Sequence, residues 1–266
     1  MQSVPSWAVA IGLTALLLLS FGAGWRLYGV VNKDRADTQS DPGHLAAASL
    51  GLVSLLVGFT LAMSFERYED RRRLVVDEAS AISSAWLLDH ALDEPFRTHL
   101  DGLFRDYVRE RRGFADVGMS DRALDAADAR TLALQLRIWR ETSAGLRQPG
   151  ASSLATPVLQ STNLMFDIPA ARRAALDEKV PALIVWTVVG STALAAAVAG
   201  YGQAPGRRTH LFAISGLFVA MALATALIVE LDAPRRDWIR VPQAPMERVA
   251  ADILSAPPPD SAASPH

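Results

Sequence analysis

Four long stretches of this sequence carry no aspartate, glutamate, lysine or arginine, and they lie at residues 1–25, 45–65, 180–206 and 211–229. Each is close to or longer than the ~20 residues that an α-helix needs to cross the hydrocarbon core of a bilayer. Helices in the cores of soluble proteins rarely run so far without a charge. The sequence therefore predicts an all-α, polytopic membrane protein with four transmembrane helices, at about residues 6–27, 44–65, 180–201 and 210–231.

The four spans form two hairpins that flank a charged central region. Short connections rich in turn-forming residues predict that the two spans of each hairpin are antiparallel neighbours. No lysine or arginine precedes Arg26, so the first stretch lacks the basic start of a cleaved signal peptide and is interpreted as a retained span. The predicted domains are a first hairpin (1–65), a helical cytoplasmic domain (66–179), a second hairpin (180–231) and a cytoplasmic tail (232–266), disordered from about residue 256 where proline, serine and alanine dominate.

Lysines and arginines near the span ends predict the orientation of the chain. Ten of them would share one side of the membrane, at positions 67, 71–73, 172, 173, 179, 235, 236 and 240. Five would share the other side, at positions 26, 33, 35, 207 and 208. By the positive-inside rule, both termini and the central domain are expected in the cytoplasm, with the protein in the inner (plasma) membrane.

The central region has the periodicity of helices. No helix breaker follows the second span until about Trp86, so its helix is predicted to continue into the charged region. Asp93, Glu94 and Pro95 start a second helix, whose apolar face is Phe96, Leu100, Leu103, Tyr107 and Val108. Ser120 is predicted to cap a third, with Leu124, Leu132, Leu136 and Trp139 facing inward, and a fourth begins at about Ser153.

Composition excludes several classes of function. The chain has no cysteine, so it forms no disulfide and no cysteine-based metal site, and its net charge of −2 gives no reason to expect nucleic acid as a partner. Phosphate-loop, nucleophile-elbow and zinc-protease motifs are absent from the sequence. We interpret His90 and His99 as surface residues rather than metal ligands. The chain is therefore predicted not to be an enzyme and to need no cofactor or metal.

The second span carries one apolar stripe. Gly51, Leu55, Phe59 and Met63 recur every fourth residue, and small residues (Ala48, Gly51, Gly58 and Ala62) would let neighbouring helices approach closely. The stripe has two interpretations: packing against another span, or an apolar constriction that gates ions by dewetting.

A cluster of charges follows the second span directly. It comprises Glu66, Arg67, Glu69, Arg71, Arg72 and Arg73. One interpretation is an anchor on anionic lipid headgroups, which attract each basic residue by about 1 kcal/mol. The other is a ring of charge around a pore mouth. The sequence alone leaves both open.

Three short motifs make the chain resemble a known family. Gly58-Phe59, seven residues and then Arg67-Tyr68 resembles the second-span pattern of bestrophin channels. Val75-Val76-Asp77-Glu78-Ala79, and Leu231-Asp232-Ala233-Pro234 with Ile239-Arg240-Val241, resemble bacterial membrane proteins of the bestrophin-like domain family.

The resemblance implies a pentamer whose second span lines a central pore. Leu55 and Phe59 would then form the apolar neck, with Gly51 and Met63 also lining the pore. Gly51 supplies no bulky side chain for a third ring. The acidic calcium clasp of animal bestrophins has no counterpart in this sequence, so calcium gating is not expected.

The leading hypothesis is thus a bestrophin-like, homo-oligomeric ion channel whose partners are the lipid bilayer, further copies of itself and small ions. The alternative is a non-conducting membrane scaffold or sensor whose cytoplasmic helical domain binds a partner.

Overall fold

The computed structural model describes residues 6–31, 43–116, 120–178, 180–202, 211–232 and 239–257. Within these ranges the chain is helical and contains no strand. The helices are α1 (Ser6–Val31), α2 (Gly43–Asp89), α3 (Phe96–Gly113), α4 (Asp121–Gly145), α5 (Ala155–Asp177), α6 (Ala182–Tyr201), α7 (Leu211–Asp232) and α8 (Ala244–Ser255), with 3₁₀ turns at Phe114–Asp116 and Ala151–Ser153. They form two compact units, residues 1–68 with 179–240 (the membrane unit) and residues 69–178 with 241–266 (the helical unit).

Among the described residues, four helices are long and apolar enough to cross a bilayer, which confirms the predicted fold class. They are α1, α2, α6 and α7. The second is a single helix of 47 residues that runs without a break to Asp89, as the absence of a helix breaker predicts. The protein is a multi-pass membrane protein.

The closest approach within the membrane unit joins α1 to α6. Gly24 is so near that a Cβ added to it would lie 1.9 Å from the carbonyl oxygen of Ala197. On the opposite helix, a Cβ added to Gly200 would lie 2.0 Å from the carbonyl oxygen of Phe21. Only glycine allows this backbone contact at both points. The main partners of α1 are α6 and α7, whereas the short connection between α1 and α2 predicts that these two helices are neighbours.

The core of the membrane unit is largely apolar, and several of its buried hydroxyl groups donate hydrogen bonds within their own helices. Thr60 donates to the carbonyl of Leu56 at 2.8 Å and Thr192 to that of Val188 at 2.6 Å. This local bonding lets a polar side chain lie inside the bundle without a partner from another helix. The buried apolar side chains include Leu17, Val53, Val57, Val188 and Phe218.

The helical unit has a separate core built largely as the sequence predicts. On α3, Leu100, Leu103, Tyr107 and Val108 are buried together with Phe104. Ser120 caps α4, since its hydroxyl accepts a hydrogen bond from the backbone nitrogen of Ala123 at 3.3 Å. The fourth predicted helix is α5, which begins at Ala155.

The predicted inward face of α4 is wrong except for Leu124. Leu132 and Leu136 are 55% and 56% exposed, and Trp139 is 39% exposed. The helix instead buries Ala127, Thr131, Ile138 and Thr142, which lie on another side of it. Smaller side chains allow α4 to lie close to its neighbours, so the bulkier apolar stripe faces outward.

Helix α8 was not predicted. It begins with a proline in its first turn and buries Met246, Ala250 and Ile253 in the same core as α3. The connections at 32–42 and 203–210, the segment at 233–238 with Pro234, and most of the tail predicted to be disordered lie outside the described residues.

Candidate functional site

The apolar stripe of α2 lies on the outside of the chain. Phe59 is 63% exposed, Leu55 55% and Met63 41%, and Gly51 is exposed as well. In a helix that turns about 100° per residue, positions four apart stay on one face. The four residues therefore form one continuous surface over the uncharged half of α2.

The opposite face of α2 makes the contacts within the chain. Val53, Val57 and Thr60 are 3–6% exposed, and Ser64 is fully buried. Val53 lies about 160° around the helix from Leu55. Packing against another span of the same chain therefore does not account for the stripe.

The small residues of α2 do not bring other helices close. A Cβ added to Gly51 or Gly58 would have no described atom within 4 Å outside its own helix, and Ala48 and Ala62 are exposed. Within the chain, the close helix contact lies instead at Gly24 of α1 and Gly200 of α6, and close approach of helices from other copies at the small residues of α2 stays a prediction.

The charge cluster after the span is not uniform. Arg71 is 6% exposed, whereas the side chains of Arg72 and Arg73 are 54% and 74% exposed. Arg72 pairs with Glu69 at 3.2 Å, and Arg73 approaches Asp70 at 3.8 Å. The exposed arginines are thus partly compensated by acids one turn earlier, while Glu66 is exposed and Arg67 half-buried.

A buried cluster that the sequence did not reveal lies in the helical unit. Glu78 of α2 is fully buried and forms salt bridges with Arg111 of α3 and Arg172 of α5. Arg111 also donates to Thr131 of α4 at 3.3 Å, and Arg172 donates to Gln243 at 3.4 Å. One carboxylate therefore connects three helices.

Two guanidinium groups and one carboxylate leave this cluster with one excess positive charge. The ring of Phe114 offsets part of it, because the guanidinium carbons of Arg111 and Arg172 lie 4.6 and 5.4 Å from the ring centroid. Burial raises the pKa of the nearby Tyr107 hydroxyl, which therefore stays neutral.

A second polar network surrounds Asp101 of α3. Its carboxylate accepts hydrogen bonds from Trp86 at 3.1 Å and Arg105 at 2.7 Å. The remaining nitrogens of Arg105 donate to the carbonyls of Leu254 at 2.9 Å and Ala256 at 2.7 Å. Arg105 thereby caps the carboxyl end of α8.

His90, His99 and Asp89 are further titratable groups of the helical unit. His90 lies 3.6 Å from Asp101, and His99 lies 3.5 Å from Glu141. Across the described residues, no group of three or more possible ligands could hold a metal ion. Burial raises the pKa of Asp89, in the charged continuation of α2, to about 7, although Thr142 donates to one of its oxygens at 3.3 Å.

Comparison with known proteins identifies relatives by family and by fold. The family model of the Bestrophin-like domain matches residues 14–246. A search of the curated proteins gives no significant match.

Several solved structures share the fold. A bacterial bestrophin homologue from Klebsiella pneumoniae, as a variant with one tryptophan replaced by alanine, superposes with a TM-score of 0.73 at 12% identity, covering 96% of this chain and 100% of that one. A second variant of a Klebsiella pneumoniae bestrophin homologue gives 0.71 at 11% identity, covering 92% and 99%. A structure described as a membrane protein gives 0.71 at 12% identity, also covering 92% and 99%.

Proposed function

The chain belongs to the bestrophin-like domain family, and on that premise we propose that it is the subunit of a homo-oligomeric ion channel whose pore is lined by α2. The proposed location is the bacterial inner membrane, with both termini and the helical unit in the cytoplasm. The proposal assigns the chain no enzymatic activity. Its partners are the bilayer, further copies of itself in a ring of five, and small ions.

The observation that carries this proposal is the exposed stripe on α2. Leu55, Phe59 and Met63 cover one side of a membrane helix whose opposite side packs within the chain. Copies arranged around an axis would bring these side chains together and enclose a pore between subunits.

The proposed constriction consists of Leu55 and Phe59. Rings of these side chains would form a narrow apolar segment, which an ion crosses only when the segment is wetted. Gly51 would widen the pore on one side of the neck, and Met63 would line the pore on the other side. The cluster of Glu66, Arg67, Glu69, Arg71, Arg72 and Arg73 would lie at the pore mouth or against headgroups.

Recording from purified protein in planar bilayers tests the proposal. We expect wild-type protein to conduct, and both Leu55→Ala and Phe59→Ala to raise open-channel occupancy because a shorter apolar ring wets more easily. The matched control is Leu19→Ala in α1, where a leucine that is 73% exposed is shortened in the same way. Equal effects in the control and the stripe variants would overturn the neck, and the absence of any current would overturn the channel.

The alternative, a scaffold or sensor that does not conduct, is favoured by the outward stripe of α4. Leu132, Leu136 and Trp139 lie uncovered on one helix face, as residues that bind a partner would. Native mass measurement in detergent separates the two proposals. A pentamer supports the channel, whereas a monomer or dimer without current supports the scaffold.

A further inference from the structure

A basic groove runs between α3 and α4 in the helical unit. These helices are antiparallel, since Glu110 near the end of α3 pairs with Arg130 of α4 at 2.9 Å while His99 near its start faces Glu141. The groove has a volume of about 520 Å³. Four arginines and two acids line it: Arg105, Arg109, Arg137, Arg140, Asp106 and Glu141.

The arginines of the groove differ in how far their charge is already compensated. Arg105 is engaged by Asp101, and Arg109 pairs with Asp106 at 3.0 Å. Arg137 and Arg140 are exposed, and neither has an acidic partner within 4.0 Å among the described residues. They lie three residues apart on α4, so both side chains project from neighbouring turns of one wall.

A glycine of α3, Gly102, lines the groove. Gly102 is exposed, and a Cβ added there would have no described atom within 4 Å outside its own helix. Any larger residue at this position would place its side chain in the space between the two walls. A glycine in the interior of a helix lowers helix stability by about 1 kcal/mol relative to alanine, so Gly102 leaves this space open at a cost in helix stability.

We propose that this groove binds an anion with two or more linked phosphate groups. Guanidinium groups bind phosphate oxygens through paired, charge-assisted hydrogen bonds, and the two uncompensated arginines are placed to hold two adjacent phosphates. Arg109 on the opposite wall can exchange its contact with Asp106 for one with the ligand. The volume suits a small anion of this class, because ligand sites commonly measure about 300–1,000 Å³.

A neighbouring depression extends the basic surface. It has a volume of about 470 Å³, and it shares Asp106, Arg109 and Arg137 with the groove. Arg130 lies there but is paired with Glu110. A ligand longer than a diphosphate would therefore extend toward Arg130, past the shared Arg137.

Calorimetric titration of the full-length protein in detergent with inorganic pyrophosphate, at constant ionic strength, tests the proposal. Wild-type protein should bind pyrophosphate about tenfold more tightly than orthophosphate or glycerol 3-phosphate, because one phosphate cannot occupy both arginines. The double variant Arg137→Gln/Arg140→Gln should weaken pyrophosphate binding by about tenfold or more.

Two controls separate a built site from general electrostatic attraction. Arg112→Gln/Arg122→Gln removes two exposed arginines outside the groove, so it changes the net charge equally and should leave the affinity within about twofold. Gly102→Leu keeps every charge, favours the helix and fills the groove, and it should abolish binding.

Three results would overturn the proposal. They are no pyrophosphate binding by the wild type, equal weakening in the two arginine double variants, and unchanged affinity in Gly102→Leu. Equally tight binding of glycerol 3-phosphate would instead assign the groove to a single phosphate, such as a phospholipid headgroup. None of these measurements depends on conductance, so they test the groove independently of the channel proposal.

Discussion

The membrane unit and the helical unit are both bundles of α-helices, yet they are stabilised by different interactions. In the membrane unit, α1 and α6 meet backbone to backbone at Gly24 and Gly200, and hydroxyls such as that of Thr192 bond within their own helix. In the helical unit, Glu78 is buried between two arginines. The difference follows from the solvent of each unit.

In lipid, burying an apolar side chain against another helix gains little, because the hydrocarbon tails are equally apolar. Close packing of small residues then provides the attraction. In water, the hydrophobic effect stabilises the core, and a buried charge is tolerated if it is fully paired. The helical unit should therefore be most sensitive to the loss of a buried charge, and the membrane unit to the gain of a methyl group where two helices touch.

The sharpest test of this contrast is removal of the buried carboxylate. Glu78→Gln keeps the shape of the side chain but leaves Arg111 and Arg172 buried without a counter-charge. We expect the free energy of unfolding to fall by about 3–5 kcal/mol, measured by urea titration in detergent. Asp77→Asn, at the exposed neighbouring position, should change it by less than about 0.5 kcal/mol. Similar values for the two variants would refute a structural role for the cluster.

A variant of Asp89 tests whether the helical unit also buries a charge that has no counter-charge. Its pKa rises from 3.8 in the unfolded chain to about 7 in the folded protein, so the folded state holds a proton that the unfolded state releases between these values. The contribution of Asp89 to stability is therefore full at low pH and is lost as the pH rises toward 7.

Asp89→Asn stays neutral and should be more stable than the wild type at about pH 8, by roughly 2–4 kcal/mol. The advantage should shrink as the pH is lowered and vanish below about pH 4. Unfolding curves of both proteins across this range measure the difference. An advantage that does not vary with pH would mean that ionisation of Asp89 is not its cause.

For the membrane unit, the test is an added methyl group. Gly24→Ala or Gly200→Ala places a carbon against the backbone of the facing helix, and we expect a loss of about 1–3 kcal/mol in thermal or denaturant unfolding. Gly22→Ala, where an added Cβ has no described atom within 4 Å outside its own helix, serves as the control and should be neutral or slightly stabilising. Tolerance of alanine at positions 24 and 200 would show that the two helices are not in backbone contact.

The smallest effect is expected where a salt bridge is exposed to water. Arg72→Gln removes the pair with Glu69, in which the arginine side chain is 54% exposed. We expect a change of less than about 0.5 kcal/mol, since such pairs gain little in water. If Arg72→Gln lowers the free energy of unfolding as much as Glu78→Gln does, pairing of charges distinguishes the two units, and burial of the pair does not.

The spans and the length of α2 could be predicted from sequence because their signals are local. An uncharged stretch of about 20 residues has few alternatives to a membrane helix, and no breaker interrupts α2 before Asp89. The stripe of Leu55 and Phe59 was visible for the same reason, although its role remains a prediction.

The remaining features depend on contacts between distant residues. Glu78 lies 33 residues from Arg111 and 94 from Arg172, so no spacing rule connects them. On α4, apolar residues occupy two faces, and side-chain size favours the bulkier one although the helix buries Ala127, Thr131 and Ile138. Helix α8 is short and follows prolines, which concealed its amphipathic pattern next to a low-complexity tail.

The contact between Gly24 and Gly200 also has a consequence for how the chain is made. A ribosome completes α1 long before it reaches α6, and the whole of residues 69–178 is synthesised between them. The first span must therefore wait in the bilayer without its closest partner while residues 69–178 are synthesised. Assembly of the membrane unit is thus a late event in biogenesis, and a chain arrested before residue 182 should expose the Gly24 surface to lipid or to a membrane chaperone.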